Sequence, residues 1–411
     1  MKKLAVIYEG WGERWPLATL AEDGHTLLFE YTTEAQAQSL ELSPRHLKLR
    51  AAAYGDFPAY QLGLPGLVSD ALPDGWGMLL MDRLFRKNDI DPARVSVLDR
   101  LAFIGQRGLG ALSFEPASEM GLPHENVQLL ELAQQSRILM SGKDSALLKE
   151  LALLGGSPHG ARPKVVVYYD PATAHLSTQA FVGGQSWLVK FQAEGEHKEV
   201  CAIENLYAEL ARECQLSIPE THYFDLDKKL AGFGIARFDQ ADGMRVPVHT
   251  LAGLLHTNFR IPSAVDYTTF LRATRFLTRD EREVQKAYER AVFNVLFNNR
   301  DDHPKNFSYL LTQDRRWILS PAYDLNFCEG TGGYHQMDVC GEARNIQRSH
   351  LLRLAEQGGL DVRWAGLTIE RLLAVSASFV NRAKAHAIRP VTRKHLADRI
   401  AENAKRLCKA G

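Results

Sequence analysis

The segment Asn298-Asn299-Arg300-Asp301-Asp302-His303-Pro304-Lys305-Asn306-Phe307 says more about the fold than any other part of the sequence. Apolar residues at helical spacing over residues 280–297 predict a helix that ends just before it. After it, residues 307–311 and 317–319 have the composition of strands joined by a turn, which predicts a hairpin. Because a hairpin goes out and returns, we expect Asp324, which follows its second strand, to lie beside Asn306.

Asp301 and Asn306 have the D-x-x-x-x-N spacing that is typical of a kinase catalytic loop. The aspartate can accept the proton of a substrate hydroxyl while the asparagine turns back to hold Mg²⁺. Asp324 would add a second oxygen ligand, and Mg²⁺ usually takes one or two carboxylates together with substrate phosphates. One alternative is that the two aspartates only cap a loop. Another is a metal-dependent phosphoesterase, whose site would use Asp301, Asp302, His303 and His335.

A lysine interrupts the apolar segment Trp187-Leu188-Val189-Lys190-Phe191, which we predict to be a strand. Alternation along the strand places Lys190 on the face opposite the large apolar side chains. An ammonium group is costly to bury without a partner, and nucleotide phosphates would supply one. Glu204, on a helix predicted for residues 198–213, is the candidate carboxylate partner. The alternative is a lysine on an edge strand whose ammonium group reaches water.

Residues 155–164 form a loop rich in glycine and proline, where backbone N–H groups could approach phosphates. Gly155 and Gly160 have the G-x-x-x-x-G spacing, but Ala161-Arg162 follows them, so the loop is not a Walker A loop. A phosphate on Ser157 would add about two negative charges and oppose those of a nucleotide. The alternative is that Ser157 is an ordinary turn serine. A second glycine-rich segment, residues 105–110, is predicted to be a tight turn rather than a phosphate-binding loop.

The predicted elements divide the chain into three parts: residues 1–125, 126–245 and 246–411. Strands are predicted at residues 3–8, 26–31, 165–169, 186–191, 222–225 and 233–238. Helices are predicted at residues 78–86, 126–139, 144–154 and 198–213, and the chain after residue 246 is mainly helical. A small sheet followed by a helical region is the order of a bilobal kinase. We therefore predict an α+β, protein-kinase-like fold with an extra N-terminal α/β subdomain, an ATP-binding N-lobe and a mainly helical C-terminal lobe.

Composition narrows the class of protein. The 411 residues include 49 basic and 49 acidic side chains, so the formal net charge is zero. This balance argues against a non-specific binder of nucleic acid or membranes. The five cysteines are scattered and form no C-x-x-C pair, so we expect neither a zinc site nor a disulfide framework. The N-terminal apolar stretch is too short for a signal peptide, and we expect a cytoplasmic protein.

Taken together, these motifs resemble the HipA family of serine/threonine kinase toxins, which belong to type II toxin–antitoxin systems. The resemblance spans most of the chain, and its motifs are specific as a set. They are Leu72-Pro73-Asp74-Gly75-Trp76-Gly77, Ile104 to Leu112, Gly155 to Lys164, Trp187 to Phe191, Ala236-Arg237-Phe238-Asp239, Phe293 to Leu296, Asp301 to Asn306, and Tyr323-Asp324.

The resemblance implies a role for each matched residue. Asp301 would be the catalytic base, Asn306 and Asp324 the Mg²⁺ ligands, and Lys190 the lysine on the ATP phosphates. Ser157 would be autophosphorylated, which expels the loop and silences the kinase. The ATP-binding residues would be Ser157, His159, Gly160, Ala161, Lys190, Ala236, Phe238, Asn306 and Asp324.

The resemblance also implies partners. Family members work beside a small helix-turn-helix antitoxin and phosphorylate translation components such as an aminoacyl-tRNA synthetase, which arrests growth. We therefore expect ATP and Mg²⁺ as cofactors, contact with DNA only through the antitoxin, and no membrane. The alternative function is a catalytically weak kinase-fold protein that binds an antitoxin and acts as a transcriptional co-regulator.

Overall fold

The computed structural model describes residues 2–24, 26–118, 126–156 and 159–408. The chain forms two compact units. The first contains Met1–Cys201, Glu220–His249 and Leu310–Arg315, and the second contains Ala202–Pro219, Thr250–Tyr309 and Arg316–Gly411. Over the described parts of the chain, no helix combines the length and the apolar character needed to cross a membrane.

Both strands and helices are numerous in the described residues. The strands are β1 Lys3–Tyr8, β2 Trp15–Asp23, β3 Thr26–Tyr31, β4 Leu112–Glu115, β5 Lys164–Asp170, β6 His175–Ser177, β7 Gln185–Phe191, β8 Thr221–Asp225, β9 Ala231–Ala236, β10 Gln240–Ala241, β11 Met244–Arg245, β12 Val248–Thr250, β13 Ser308–Leu311 and β14 Trp317–Leu319. The helices are α1 Thr33–Gln38, α2 Gly66–Ser69, α3 Gly75–Lys87, α4 Val97–Ile104, α5 Leu129–Met140, α6 Leu148–Gly155, α7 Glu199–Glu213, α8 Leu251–Leu255, α9 Tyr267–Thr278, α10 Glu281–Leu296, α11 Arg348–Gln357, α12 Val362–Ser376, α13 Phe379–Ala383 and α14 Pro390–Cys408.

Among its described residues, the first unit holds two larger antiparallel sheets and the short antiparallel pair β10–β11. The N-terminal sheet has the strand order β3-β2-β1-β4. Large apolar side chains meet across it, since Leu20 is opposite Phe29 and Val6 is opposite Phe114. All four side chains are fully buried. Burial of one face of this sheet therefore sets the register of its strands.

The second sheet of this unit has the order β6-β5-β7-β9-β8, and all its neighbours are antiparallel. Its central strands pair Val165 with Val189 and Val167 with Trp187, and these side chains are fully buried. The Trp187 ring also meets Tyr169 edge-on, with the ring centroids 5.2 Å apart. This apolar face fixes the orientation of β7 and leaves Lys190 on the opposite face.

Helices make up most of the second unit, and α10 is its most deeply buried long helix. Asp280 caps its start by accepting a hydrogen bond from the Arg282 N–H, at 2.9 Å. Phe293 packs edge-on against Tyr207, whose hydroxyl donates to the Phe297 carbonyl just past the end of the helix. Asn298 then adopts a left-handed backbone, with φ +55°, and the chain leaves the helix at this point.

The structure confirms most of the elements predicted from the sequence. The predicted strands at residues 3–8, 26–31 and 165–169, the helix at 280–297 and the hairpin match β1, β3, β5, α10 and the pair β13–β14 within about one residue. Strands β2, β4 and β6 were not predicted. β2 contains Pro16 and four alanine or acidic positions that weaken a strand pattern, and β6 has only three residues. The structure confirms that helices and strands are both major components, while the three-part division stays a prediction.

Candidate functional site

In the second unit, the loop after α10 presents Asp301 and Asn306 together. The Asp301 side chain is 58% exposed, so a hydroxyl group on another protein could reach its carboxylate. Asn306 ends a single helical turn, Pro304–Asn306, and its Nδ2 donates to the Asp301 carbonyl at 2.8 Å. This hydrogen bond fixes the spacing between the two residues.

The hairpin β13–β14 brings Asp324 back to this loop. The Tyr323 hydroxyl donates to the Lys305 carbonyl at 2.7 Å and lies 2.6 Å from Ser308 Oγ. Asp324 itself has φ +55°, a left-handed conformation that is uncommon for residues other than glycine and often found at functional sites. Asn306 and Asp324 consequently line one small pocket. Its lining residues are Arg290, Asn294, Asn299, Asp302, Asn306, Phe307, Ala322, Tyr323, Asp324 and Leu325.

The pocket is lined by side-chain oxygen atoms that could bind a metal ion and by one buried cation. Asn299 is buried and donates from Nδ2 to Asn294 Oδ1 at 2.9 Å, while its own Oδ1 has no hydrogen-bond partner among the described residues. Burial lowers the pKa of Arg290 to about 10, and the guanidinium group donates to the Ser320 carbonyl. The oxygen donors available here, the Asp324 carboxylate and the side-chain amides of Asn299 and Asn306, are the hard ligands that suit Mg²⁺.

Asp302, in contrast to its neighbour, is a buried hydrogen-bond acceptor. Its carboxylate accepts from the Tyr267 hydroxyl at 2.6 Å, from His335 Nδ1 at 2.8 Å and from the Gln336 N–H at 2.8 Å. Burial and the nearby Asp302 carboxylate hold the pKa of Tyr267 well above its usual value, so its hydroxyl remains a donor. Asp302 therefore anchors the loop that carries Asp301.

This geometry weighs against the phosphoesterase interpretation. Two of the metal ligands proposed for it, Asp302 and His335, are hydrogen-bonded to each other. The Nε2 atom of His303 lies 3.9 Å from the Asp301 carboxylate. Within the described ranges, no group of three or more His, Cys, Asp and Glu side chains is arranged to hold a metal ion. The fold uses Asp302 and His335 as a structural pair, although they lie 33 residues apart in the chain.

In the first unit, Lys190 is buried on β7, with 7% of its surface exposed. Its ammonium nitrogen lies 6.0 Å from the centre of the Phe233 ring. Directly opposite on β5 is Lys164, which is also buried and whose ammonium group donates to the His159 carbonyl. Opposite residues of an antiparallel pair project from the same face, so two lysines share one face of this sheet. Lys164 was not among the predicted site residues, although its position at the end of the glycine-rich loop was a usable signal.

Within the glycine-rich loop, Gly155 ends α6, Ser157 and Pro158 lie outside the described residues, and the description resumes at His159. His159 Nε2 donates to the Leu72 carbonyl at 2.9 Å. Gly160 has φ +100°, which a residue with a side chain rarely adopts, and its N–H donates to the Asp74 carboxylate. Ala161 follows with its Cα close to Gly75. The loop is thus held by residues of the N-terminal part of the chain.

The predicted ATP-binding residues Ala236 and Phe238 lie at the end of β9 and just after it. The Ala236 N–H donates to the Glu220 carbonyl at 2.9 Å, and Phe238 is half-buried. Burial alone would raise the pKa of the Asp239 carboxyl, but the adjacent Arg237 guanidinium and the Gly110 N–H bring it below its usual value. The two hydrogen bonds from Arg237 to Asp239 measure 2.9 and 2.6 Å.

The predicted site residues fall into two groups. The first unit holds His159, Gly160, Ala161, Lys190, Ala236 and Phe238. The second unit holds Asp301, Asn306 and Asp324, together with the buried Glu204. Their roles in binding and catalysis stay predictions.

Comparison with known proteins identifies the family. The sequence model of the HipA-like C-terminal domain matches residues 156–387, and that of the HipA N-terminal domain matches residues 9–115. The chain belongs to the HipA family. This HipA-family protein is 26% identical over 330 residues to a protein of Sinorhizobium fredii named "Putative kinase Y4dM", an alignment that covers 75% of this chain and 74% of that one.

A solved structure shares the fold of this HipA-family protein. It is the HipA toxin–antitoxin system of Shewanella oneidensis MR-1, solved with HipB and its operator DNA. The TM-score is 0.71 at 18% identity, and the match covers 98% of this chain and 97% of the other. The likeness therefore extends over the N-terminal and C-terminal parts of the fold.

Proposed function

We propose that this HipA-family protein is an ATP- and Mg²⁺-dependent serine/threonine protein kinase. The observation that carries the proposal is the arrangement in the second unit, where Asn306 and Asp324 line one pocket and Asn306 is hydrogen-bonded to the backbone of the exposed Asp301. A base that protein substrates can reach, next to a set of oxygen ligands, is what phosphoryl transfer to a hydroxyl group requires.

Each residue has a defined task in this reaction. The Asp301 carboxylate orients the substrate hydroxyl and accepts its proton. Asn306 and Asp324 hold Mg²⁺, which neutralises charge on the nucleotide phosphates. The buried Asp302 keeps the loop in place by accepting three hydrogen bonds. Catalysis of this type depends on positioning and charge stabilisation, with little covalent chemistry by the protein.

Nucleotide contacts come from residues of the first unit. Lys190 binds the ATP phosphates, and Lys164, on the same face of the sheet, is a second cation for them. The loop residues His159, Gly160 and Ala161 approach the phosphates through their backbone, and Ala236 and Phe238 meet the adenine. Autophosphorylation of Ser157 adds negative charge in this loop and switches the kinase off.

The partners follow from the family and from the matched structure. The Shewanella protein was solved with HipB and operator DNA, which supports an antitoxin partner for this chain and contact with DNA through that partner. We propose a translation component, such as an aminoacyl-tRNA synthetase, as the protein substrate, so that phosphorylation arrests growth in the cytoplasm.

A transfer assay tests this proposal. The purified chain is incubated with γ-labelled ATP, Mg²⁺ and a cell lysate, and the labelled residues are mapped. Asp301→Asn removes the base and should lower transfer by about 10²–10⁴-fold, while an exposed Asp301 makes loss of the fold unexpected. Asp398→Asn, an equally conservative change on the surface of α14, is the matched control and should leave transfer unchanged.

The outcomes separate the proposed kinase from its alternative. Label on serine or threonine that Asp301→Asn abolishes supports the kinase. Binding of an antitoxin without transfer from ATP, in the wild-type chain, supports a catalytically weak co-regulator instead. Full transfer by Asp301→Asn removes Asp301 from the role of base.

A further inference from the structure

Residues 72–77, at the start of α3, are bonded to the glycine-rich loop. The Asp74 carboxylate accepts from the Gly160 N–H, and the Trp76 N–H donates to the Gly160 carbonyl at 3.1 Å. The Trp76 indole N–H donates to the Lys164 carbonyl at 3.0 Å. The loop is therefore held at both its middle and its end. Asp74 occupies the N-cap position of α3 but makes no side-chain capping bond there.

The two segments approach so closely that only glycine fits at the contact. A Cβ atom on Gly75 would lie 2.7 Å from the Ala161 Cα, which is backbone and cannot move aside cheaply. Gly75 also has φ +35°. The contact with the loop thus explains the residues Asp74-Gly75-Trp76 of this motif.

A second contact of the same kind joins residues 105–112 to the segment that follows β9. The Gly110 N–H donates to Asp239 Oδ2 at 2.9 Å. Arg245 donates to the carbonyls of Gly110 at 2.8 Å, Gly108 at 3.1 Å and Leu112 at 2.9 Å. In the tight turn predicted at residues 105–110, polar backbone groups of Gly108 and Gly110 are thus hydrogen-bonded to Asp239 and Arg245.

We propose that residues 72–77 and 105–112 form a platform that holds the nucleotide-facing segments 159–164 and 236–239 in their working conformation. Asp74 and Asp239 are positioning residues in this arrangement. The reason is energetic: amide groups stabilise phosphates best when they are fixed beforehand, and a loop with a left-handed glycine has little order of its own. The statement that these segments face a nucleotide rests on the proposed function, whereas the immobilisation of the loop does not.

Hydrogen exchange without nucleotide tests the immobilisation directly. Asp74→Ser keeps a good N-cap residue for α3 but is too short to reach the Gly160 N–H. We expect exchange of the loop peptide, residues 159–164, to accelerate by roughly tenfold or more, as for loss of a hydrogen bond to a charged group. Asp91→Ser makes the same change at another cap of the N-terminal part, where Asp91 accepts from the Ala93 N–H at 3.0 Å, and should leave the loop unchanged.

The conservative variant Asp74→Asn keeps an acceptor of the same reach and should restore most of the protection. Trp76→Phe removes the indole donor to the Lys164 carbonyl together with part of a fully buried ring, so it tests the second contact with the loop if Asp74→Ser does not fold. Unchanged exchange of residues 159–164 in both Asp74→Ser and Trp76→Phe would overturn the proposal.

Nucleotide binding tests the consequence for function. Titration with ATP and Mg²⁺ should show a Kd raised about tenfold or more by Asp74→Ser, a value near that of the wild type for Asp74→Asn, and no change for Asp91→Ser. If the wild-type chain binds no ATP, the proposed kinase function fails, while the exchange experiment still decides whether the platform exists. If ATP binds equally well to Asp74→Ser despite faster exchange, the platform holds the loop without serving the nucleotide, and that part of the proposal is wrong.

Discussion

Asp302 is the residue whose side chain does most to hold the loop around Asp301. Asp302→Asn replaces one oxygen of a buried carboxylate by a donor that faces the Tyr267 hydroxyl and His335. We expect the second unit to lose about 2–4 kcal/mol of unfolding free energy, since hydrogen bonds to buried charged groups are among the costliest to lose. Urea unfolding measures the loss. The surface variant Asp398→Asn should change it by no more than about 0.5 kcal/mol, and an equally small effect of Asp302→Asn would show that the network is dispensable.

The proposed role of Asp324 as a Mg²⁺ ligand is tested with a variant of its own. Asp324→Asn keeps the size of the side chain but removes the negative charge that attracts Mg²⁺. We expect the Mg²⁺ concentration for half-maximal transfer to rise by at least about tenfold, with residual transfer recovering in part at high Mg²⁺. A Mg²⁺ titration of transfer gives this value. A variant with an unchanged Mg²⁺ requirement would mean that Asp324 is not a ligand.

The segment after β9 is the element where pH should act most clearly. The pKa of Asp239 is lowered in the fold, because Arg237 and the Gly110 N–H outweigh the effect of burial. A carboxyl group whose pKa is lowered on folding stabilises the fold above its unfolded pKa of about 3.8 and loses this contribution as the pH falls through the folded value. The difference in unfolding free energy between the wild type and Asp239→Asn should therefore be constant near neutral pH and shrink below about pH 4.

Urea unfolding of both proteins between pH 3 and pH 7 makes this comparison, and the subtraction removes the titration of all other carboxyl groups. A difference that grew as the pH fell would contradict the assigned direction of the Asp239 pKa shift. In that case Asp239 would be held protonated by its burial, and the ion pair with Arg237 would not be the stabilising contact.

The elements show what a sequence pattern can predict. Strands such as β5 and β7 and the helix α10 were predicted because their apolar periodicity is strong and local. The same reasoning placed Asp324 beside Asn306, since a short hairpin leaves the chain few paths. β6 was missed because three residues carry no measurable period, so only pairing with β5 reveals it.

The parts of the site that escaped prediction depend on contacts far apart in the chain. Lys164 is opposite Lys190 only because β5 and β7 pair in one particular register. Asp302 is bonded to His335, 33 residues away, and Asp74 to Gly160, 86 residues away. Except for His335, these residues belong to motifs that the sequence shows, but no local pattern in the sequence indicates which of the motifs contact each other.

The net charge of the whole molecule and its local charged groups influence different kinds of binding. The formal net charge of zero gives the chain no general attraction to nucleic acid, so the proposed contact with DNA through an antitoxin is consistent with its composition. In a molecule without net charge, selectivity for an anionic ligand depends on local charged groups, such as the lysine pair at positions 164 and 190.

Thermal unfolding of the intact chain measures whether those local groups bind a nucleotide. A ligand that binds only the folded protein adds about 2.7 kcal/mol of stability at 100 times its Kd, which raises Tm by a few degrees in a protein of this size. We expect this rise with ATP and Mg²⁺ in the wild type and in Asp398→Asn, and a much smaller rise in Lys190→Met, which replaces the buried ammonium group by an unbranched apolar side chain one atom shorter. Chelation of Mg²⁺ should reduce the rise in the wild type but have a smaller effect in Asp324→Asn, whose affinity for the ion is already weakened. Equal shifts in all four proteins, with and without Mg²⁺, would place the nucleotide away from both Lys190 and Asp324.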